Sequence, residues 1–367
     1  MNRIDPWRFE TAWNQDDFDG AVAFQNMRAE FENARAKHPE EFQESFFVLA
    51  GRIVLIRIAG RELAEHFCRP FAHLRTDVQK FPAPGLTIEI WDKNKAAIDG
   101  PAPLTDDDLK WGETTLKTAD GRFVGQRLPH TISCLDRDAG HIMASIAWNS
   151  RIFIYERAKP LARLLLEWHN DQNIPVIHAG LVARDGSGLL IAGKSGSGKS
   201  TSSLACVSAG LHFLGEDYVG LQNRADDSFV GHSLYNSVFL NTVDFARFAD
   251  LAPYAIKGRL PHEEKSVIIL STIFSERLER AVPIRAVALV RVGDSPRARL
   301  CPASKGETLL ALGPSSLLQI PNRPLGTRGL DRLAKLVERV PCYSVEAGSD
   351  LPSVAHCIEE LLGQVGG

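Results

Sequence analysis

The chain has 367 residues, a formal charge of −3, and 44% hydrophobic, 24% charged and 8% aromatic residues. That length exceeds one typical core and predicts about two domains, each able to bury a sizeable interior. The near-neutral charge supplies no global field for nucleic acid or an anionic membrane, so neither is expected as a partner.

No apolar run approaches the roughly eighteen residues of a membrane span. The opening MNRIDPWRFETAWNQDD has no signal-peptide pattern, and a cytoplasmic location is expected. Cys68, Cys134, Cys206, Cys301, Cys342 and Cys357 form no C-x-x-C and no zinc-type spacing. They read as buried small hydrophobes in a reducing compartment.

In chain order, residues 46–60 hold two apolar runs around Ala50-Gly51-Arg52, a predicted β-hairpin. A helix is predicted over 61–74, bent near Pro70. Pro82, Pro84 and Gly85 punctuate before a strand over 86–91. Thr105 followed by Asp106, Asp107 and Asp108 reads as a helix N-terminus. Residues 129–155 read as a second hairpin around Asp136–Gly140 written in sequence as DRDAG. From Glu156 the period changes: Leu161, Leu164, Leu165 and Trp168 recur at i, i+3, i+4, i+7, an amphipathic helix. The domain boundary is therefore placed near residue 152. Residues 1–152 form a smaller α+β domain and 153–367 an α/β domain with a mixed sheet flanked by helices.

A strand over 174–183, the turn Arg184-Asp185-Gly186-Ser187-Gly188 and a strand over 189–192 follow. They deliver the chain into Gly193-Lys194-Ser195-Gly196-Ser197-Gly198-Lys199-Ser200-Thr201, with a small-residue helix over 200–209 and a capping Gly210. Strand, glycine loop, helix is the setting of a phosphate-binding loop. The glycines let main-chain N–H groups wrap anionic oxygens, and the helix N-terminus adds its positive end. Lys199, expected to be exposed, supplies a cation for the β- and γ-phosphates of ATP or GTP, and the Ser200 hydroxyl a magnesium ligand.

An apolar strand over 212–221 carries Glu216 and Asp217. One carboxylate can help hold magnesium and the other take a proton from an acceptor hydroxyl. The longer Glu216 is assigned the base and the shorter Asp217 the metal, with Ser200.

His178-Ala179-Gly180, the loop LLIAGKSGSGKST and GLHFLGEDYVGL together resemble the HPr kinase/phosphorylase family and its kinase-like relatives. That group shares a nucleotide-binding core with phosphoenolpyruvate carboxykinase. The resemblance covers roughly residues 156–360, including Ser233-Leu234-Tyr235 and the strand over 281–292. It implies a P-loop kinase core, ATP and magnesium as cofactors, His178 as a site residue, and Asp217 in place of the second aspartate of an Asp-Asp pair. Glu216 stands where the first aspartate is expected.

The family's Arg-Gly-Leu-Gly-type stretch is absent. Lys257-Gly258-Arg259 and His262-Glu263-Glu264-Lys265 occupy that region, which leaves HPr and a reverse reaction unsupported. Lys265 is a candidate for neutralising transferred charge. Arg323 and Arg328, in the loop PNRPLGTRGL, are candidate lid residues.

The expected activity is transfer of the γ-phosphoryl of ATP to a hydroxyl of a protein, peptide or small molecule. A shikimate- or adenylate-kinase-like enzyme and a nucleotide sensor without transfer activity are the alternatives. Self-association as a homo-oligomer is left open.

Overall fold

The computed structural model describes residues 13, 17–77, 83–96, 115–148, 152–258, 265–317 and 323–366. Pro82, the expected helix start at 105–108, Arg259 and residues 262–264 lie outside the described residues, as do the side chains of Arg323 and Arg328. The chain divides into two compact units, Met1–Arg69 with Leu74–Trp168, and Pro70–His73 with His169–Gly367. The contacts change within a helix, whereas the sequence pattern changes where the helical stretch begins, near residue 152.

The first unit carries one sheet of β1 (Phe42–Leu49), β2 (Arg52–Ala59), β3 (Arg75–Thr76), β4 (Leu86–Asp92), β5 (Thr115–Lys117), β6 (Phe123–Arg127), β7 (Thr131–Asp136) and β8 (His141–Ile146). Their order is β3-β1-β2-β4-β8-β7-β6-β5. Both expected hairpins are present. Ala50 and Gly51, at φ 47° and 79°, turn β1 into β2, and β7 pairs with β8 from Thr131↔Ile146 to Asp136↔His141.

Helix α1 (Gly20–Lys37) is capped by Asp19, whose Oδ1 accepts from the Val22 N–H at 3.0 Å. Its Ala23, Phe24, Met27 and Phe31 pack with Trp91, Phe123, Ile132 and Met143. The helix expected over 61–74 is α2 (Arg61–Phe67) followed by a 3-10 turn, Arg69–Leu74, that contains Pro70. The helix expected from Glu156 is two, α3 (Ile154–Ala158) and α4 (Ala162–Asp171). Pro160 disfavours helical geometry in Lys159, which sits at φ −138°, ψ 67°.

The second unit carries β9 (Val176–Ile177), β10 (Gly180–Arg184), β11 (Ser187–Ala192), β12 (His212–Gly215), β13 (Val219–Asn223), β14 (Phe229–Ser233), β15 (Ser237–Asn241), β16 (Ile256–Lys257), β17 (Lys265–Ile269), β18 (Ala281–Val292), β19 (Arg299–Pro302) and β20 (Cys342–Ala347). The main sheet runs β12-β10-β11-β18-β14-β13-β9, with β20 on β18 and β19 on β20; β15-β17-β16 form a second sheet. Strands β11, β18 and β20 are mutually parallel.

Alternate residues of β11 enter two cores, as a strand buried on both faces requires. Leu189 and Ile191 pack with α5 (Lys199–Ser208) and α8 (Leu351–Val365) through Cys206, Ile358 and Leu361. Leu190 and Ala192 pack with α6 (Lys305–Leu317) and α7 (Arg323–Arg339) through Leu312 and Leu336. The stretch read as a loop over 321–330 is thus largely the start of α7. The architecture is mixed α/β.

Pro70–His73 belongs to this second unit. The Asn236 N–H donates to Pro70 O at 2.9 Å, His73 Nε2 lies 2.7 Å from Ser233 Oγ, and the Phe71 ring centroid is 5.1 Å from that of Tyr235. Burial pulls the His73 pKa down to about 3, with the Arg280 charge adding to the shift, so the imidazole is neutral at physiological pH.

Four cysteines are buried, while Cys68 and Cys301 are half-buried, so the expectation of uniform burial is corrected for those two. Among the described residues no helix is long and apolar enough to cross a membrane.

Glu30 lies on the buried face of α1, 1% exposed. Burial raises its pKa to about 7, against an opposing pull from Lys93. An acid raised in the folded state binds its proton more tightly there than when unfolded. Its contribution is therefore most favourable below the unfolded value of 4.5 and declines as pH rises toward 7. Stability should fall over that window by up to about 1.4 kcal/mol per pH unit from this group. Urea denaturation of wild type and Glu30→Gln from pH 4.5 to 8 checks it: the variant should lose that part of the slope.

Candidate functional site

The site begins where β11 ends. Asp185 and Gly186, at φ 49° and 73°, form the two-residue turn that folds β10 onto β11. Strand β11 then runs beside β18 as far as Ala192↔Leu289. Beyond Ala192 the chain must turn sharply against that neighbour. At Gly193, φ 156°, a Cβ would lie 2.4 Å from Ser197 Oγ and 2.8 Å from Val290 O. Gly198, at φ 95°, is the N-cap of α5, and only glycine adopts that conformation without strain. Residues 193–198 are therefore a tight loop between a buried strand and a helix N-terminus, where the first N–H groups of a helix have no intrahelical acceptor.

Lys199 departs from expectation. It is 6% exposed, and its Nζ donates to Gly193 O at 3.0 Å and Lys194 O at 3.2 Å. The side chain lies back over its own loop because carbonyls turned inward by the glycines offer acceptors that solvent would otherwise supply. Burial lowers its pKa, the Asp217 and Glu216 charges oppose that shift, and Lys265, the first residue of β17, adds to it.

The Ser200 hydroxyl in turn donates to Glu216 Oε1. Glu216 is 2% exposed. The sequence reading set Ser200 with Asp217; the contact formed is with Glu216.

The strand expected over 212–221 ends at Gly215 and resumes at Val219, so Glu216 and Asp217 occupy a turn. Asp217 has φ 64°, and the Tyr218 N–H closes the turn on Glu216 O at 2.8 Å. Asp217 is thereby turned to His178, whose Nε2 lies 2.9 Å from Oδ1.

The strand expected over 174–183 also breaks, at His178, between β9 paired to β13 and β10 paired to β11. Two strands with different partners must part somewhere, and His178 sits at that parting with its side chain 20% exposed beside Asp217 at 25%. Its N–H donates to Ser316 Oγ of α6 at 3.0 Å, and Ser316 is 1% exposed.

Gly193, Lys194, Ser195, Gly196 and Ser197 line a cavity of about 870 Å³ with the end of β18 and with Ser304, Glu307, Leu310 and Ala311. Arg291 and Glu307 form an ion pair on its wall. Ser200 and Thr201 open α5. Ser316, Arg291 and Glu307 carry no motif, and the sequence reading missed them. The interrupted apolar run at His178 was the available signal for a site there.

No family model matches the chain, and no curated protein matches it. Among solved structures, the chain is similar to the HPr(Ser) kinase/phosphatase from Coxiella burnetii at 13% identity and a TM-score of 0.30, over 52% of this chain and 97% of that one.

The left-handed backbone at Asp217 gives a direct test of strain at the carboxylate turn. Asp217→Gly and Asp217→Ala both remove the contact to His178, but only glycine relaxes the backbone. The glycine variant should be more stable than the alanine variant by about 1 kcal/mol, measured by urea denaturation. Equal stabilities would show that the turn is unstrained.

Proposed function

We propose that the chain is an ATP-dependent phosphotransferase of the HPr kinase-like P-loop class, moving the γ-phosphoryl group to a hydroxyl of a protein, peptide or small molecule. The observation that carries this reading is the divergence of the two carboxylates. Glu216 meets Ser200 at the mouth of the glycine loop, and Asp217 meets His178 beside it.

In this reading Gly193, Lys194, Ser195, Gly196, Ser197 and Gly198 present their N–H groups to the phosphates, with the start of α5 at Lys199, Ser200 and Thr201. Lys199 leaves the carbonyls of Gly193 and Lys194 for the phosphate oxygens, a stronger, charge-assisted partner. Ser200 and Glu216 are hard oxygen donors side by side and fit magnesium. Magnesium, when bound there, would neutralise charge on the β- and γ-phosphate oxygens.

Asp217 takes the proton of the acceptor hydroxyl while His178 orients the carboxylate. The acceptor oxygen forms a bond to the γ-phosphorus as the bridging oxygen leaves with ADP. The roles are the reverse of those read from side-chain length, because the turn after β12, and not reach, decides where each carboxylate points.

Two experiments test this. Lys199→Ala should reduce phosphate transfer from radiolabelled ATP to fractionated lysate, on the order of 10²–10³-fold, with an unchanged circular dichroism spectrum. Undiminished transfer would exclude the loop as the active one.

The carboxylates separate by titrating ATP affinity against magnesium. Glu216→Gln should weaken nucleotide binding and its magnesium dependence together. Asp217→Asn should keep affinity and lose about 10²–10⁴ in rate, an effect confined to the transition state. The opposite pattern would restore Asp217 to the metal.

A further inference from the structure

The three parallel strands β11, β18 and β20 end side by side, at Ala192, Val292 and Ala347. Ligands of open α/β sheets gather outside such carboxyl ends. Beyond β11 lies the glycine loop. Beyond the other two lies a second concavity, of about 320 Å³, which reaches from Ser197, Gly198 and Thr201 to Val292, Gly293, Gly348 and Arg247. It starts on the side of the loop where α5 begins.

Several features make its wall a fixed one. The Gly293 N–H donates to Ala347 O at 2.9 Å, and the Asp350 N–H to Pro296 O at 3.0 Å, so the segments after β18 and β20 are bonded to each other. Gly348 permits this closeness: a Cβ there would lie 2.1 Å from Pro296 O and 2.2 Å from Ser295 O.

The floor is the helix pair α5 and α8, with Leu351 and Val354 of α8 reaching the cavity. On the rim, Arg247 is exposed, yet its Nη2 donates to Gly348 O at 3.4 Å and Ser349 O at 3.3 Å. The next residue, Phe248, breaks the 3-10 helical geometry at φ −130°, ψ 53° and is buried, which anchors the segment carrying Arg247. Val292, 75% exposed, is an apolar side chain left open to solvent there.

A guanidinium held at a rim, an unburied valine and a bonded main-chain wall suit a flat, polar-edged ring. Arginine stacks on such rings. The volume lies at the lower end of small-molecule sites, about 300–1,000 Å³, and accommodates one nucleoside.

We propose that this cavity holds the nucleoside of a nucleoside triphosphate, with the ring between Arg247 and Val292 and the phosphates entering the loop past Thr201. The proposal rests on the phosphotransferase reading for the phosphate end alone. It adds a residue, Arg247, that lies far from the glycine loop in sequence and that no motif marks.

Inorganic tripolyphosphate separates the two claims, because it has the phosphates and no nucleoside. Binding of ATP, GTP and tripolyphosphate with magnesium is measured by calorimetry on the full chain and on Arg247→Ala, Val292→Glu and Lys199→Ala. The proposal expects ATP or GTP to bind tighter than tripolyphosphate. Arg247→Ala should remove about tenfold of that affinity without altering tripolyphosphate binding, and Val292→Glu should weaken nucleotide binding at least as much. Lys199→Ala should weaken both ligands.

Equal affinity of nucleotide and tripolyphosphate, or Arg247→Ala and Val292→Glu that bind nucleotide like wild type, would overturn the nucleoside site and leave the phosphate loop standing. No binding of any of the three ligands by the wild type would overturn both. Arginine-to-lysine replacement guards against misfolding: Arg247→Lys should fold like wild type and still lose most of the nucleoside's contribution, because ammonium lacks the planar face.

Discussion

Everything in the second unit depends on β11 being buried on both faces. A strand that feeds two cores cannot shift its register by one residue without exchanging Leu189 and Ile191 for Leu190 and Ala192. That fixes where the strand ends, beside Leu289 and Val290 of β18. The chain then has no room for a side chain at Gly193, since Val290 O and Ser197 Oγ occupy the place. A glycine at 193 lets the chain leave that corner, and the helix that follows begins where the loop ends.

The electrostatics follow from the same corner. Lys199 is drawn into a partly desolvated position where two carboxylates favour its charge and burial opposes it. A lysine held by neutral carbonyls in such a place costs more than one in solvent. The turn at Asp217 works in the same direction. It accepts a left-handed aspartate so that adjacent residues can point to different partners, which an extended strand could also do only by facing opposite sides of the sheet.

Much of this was legible in the residues. The Ala50-Gly51 and Asp185-Gly186 turns, the helix after Gly198 and its end at Gly210 are local decisions, made by positive φ and capping, and local sequence carries them. The breaks at His178 and at Glu216-Asp217 were not legible. Each stretch breaks because its two halves pair with different strands: β9 with β13 and β10 with β11 and β12 in the first, β12 with β10 and β13 with β9 and β14 in the second. Nothing within ten residues encodes that.

The partnership of Ser200 with Glu216 was hidden for the same reason, since it depends on where β12 stops. Lys199 was misread as exposed because a motif states what a lysine does with phosphate and says nothing of where it rests without it. The start of α7 was misread as a loop because its first residues, Arg323-Pro324-Leu325-Gly326, contain the two weakest helix formers.

The tetrapeptide Pro70–His73 gives the chain an interlaced order. It is grouped with the second unit, although the residues before and after it are grouped with the first. No single cut therefore separates the two. A fragment beginning at His169 would lack the segment that satisfies Asn236 N–H and faces Ser233 and Tyr235. On the ribosome those four residues emerge long before Ser233, Tyr235 and Asn236, which they contact. More than a hundred further residues are made before those contacts can form, so they join an early segment of the chain to a late one.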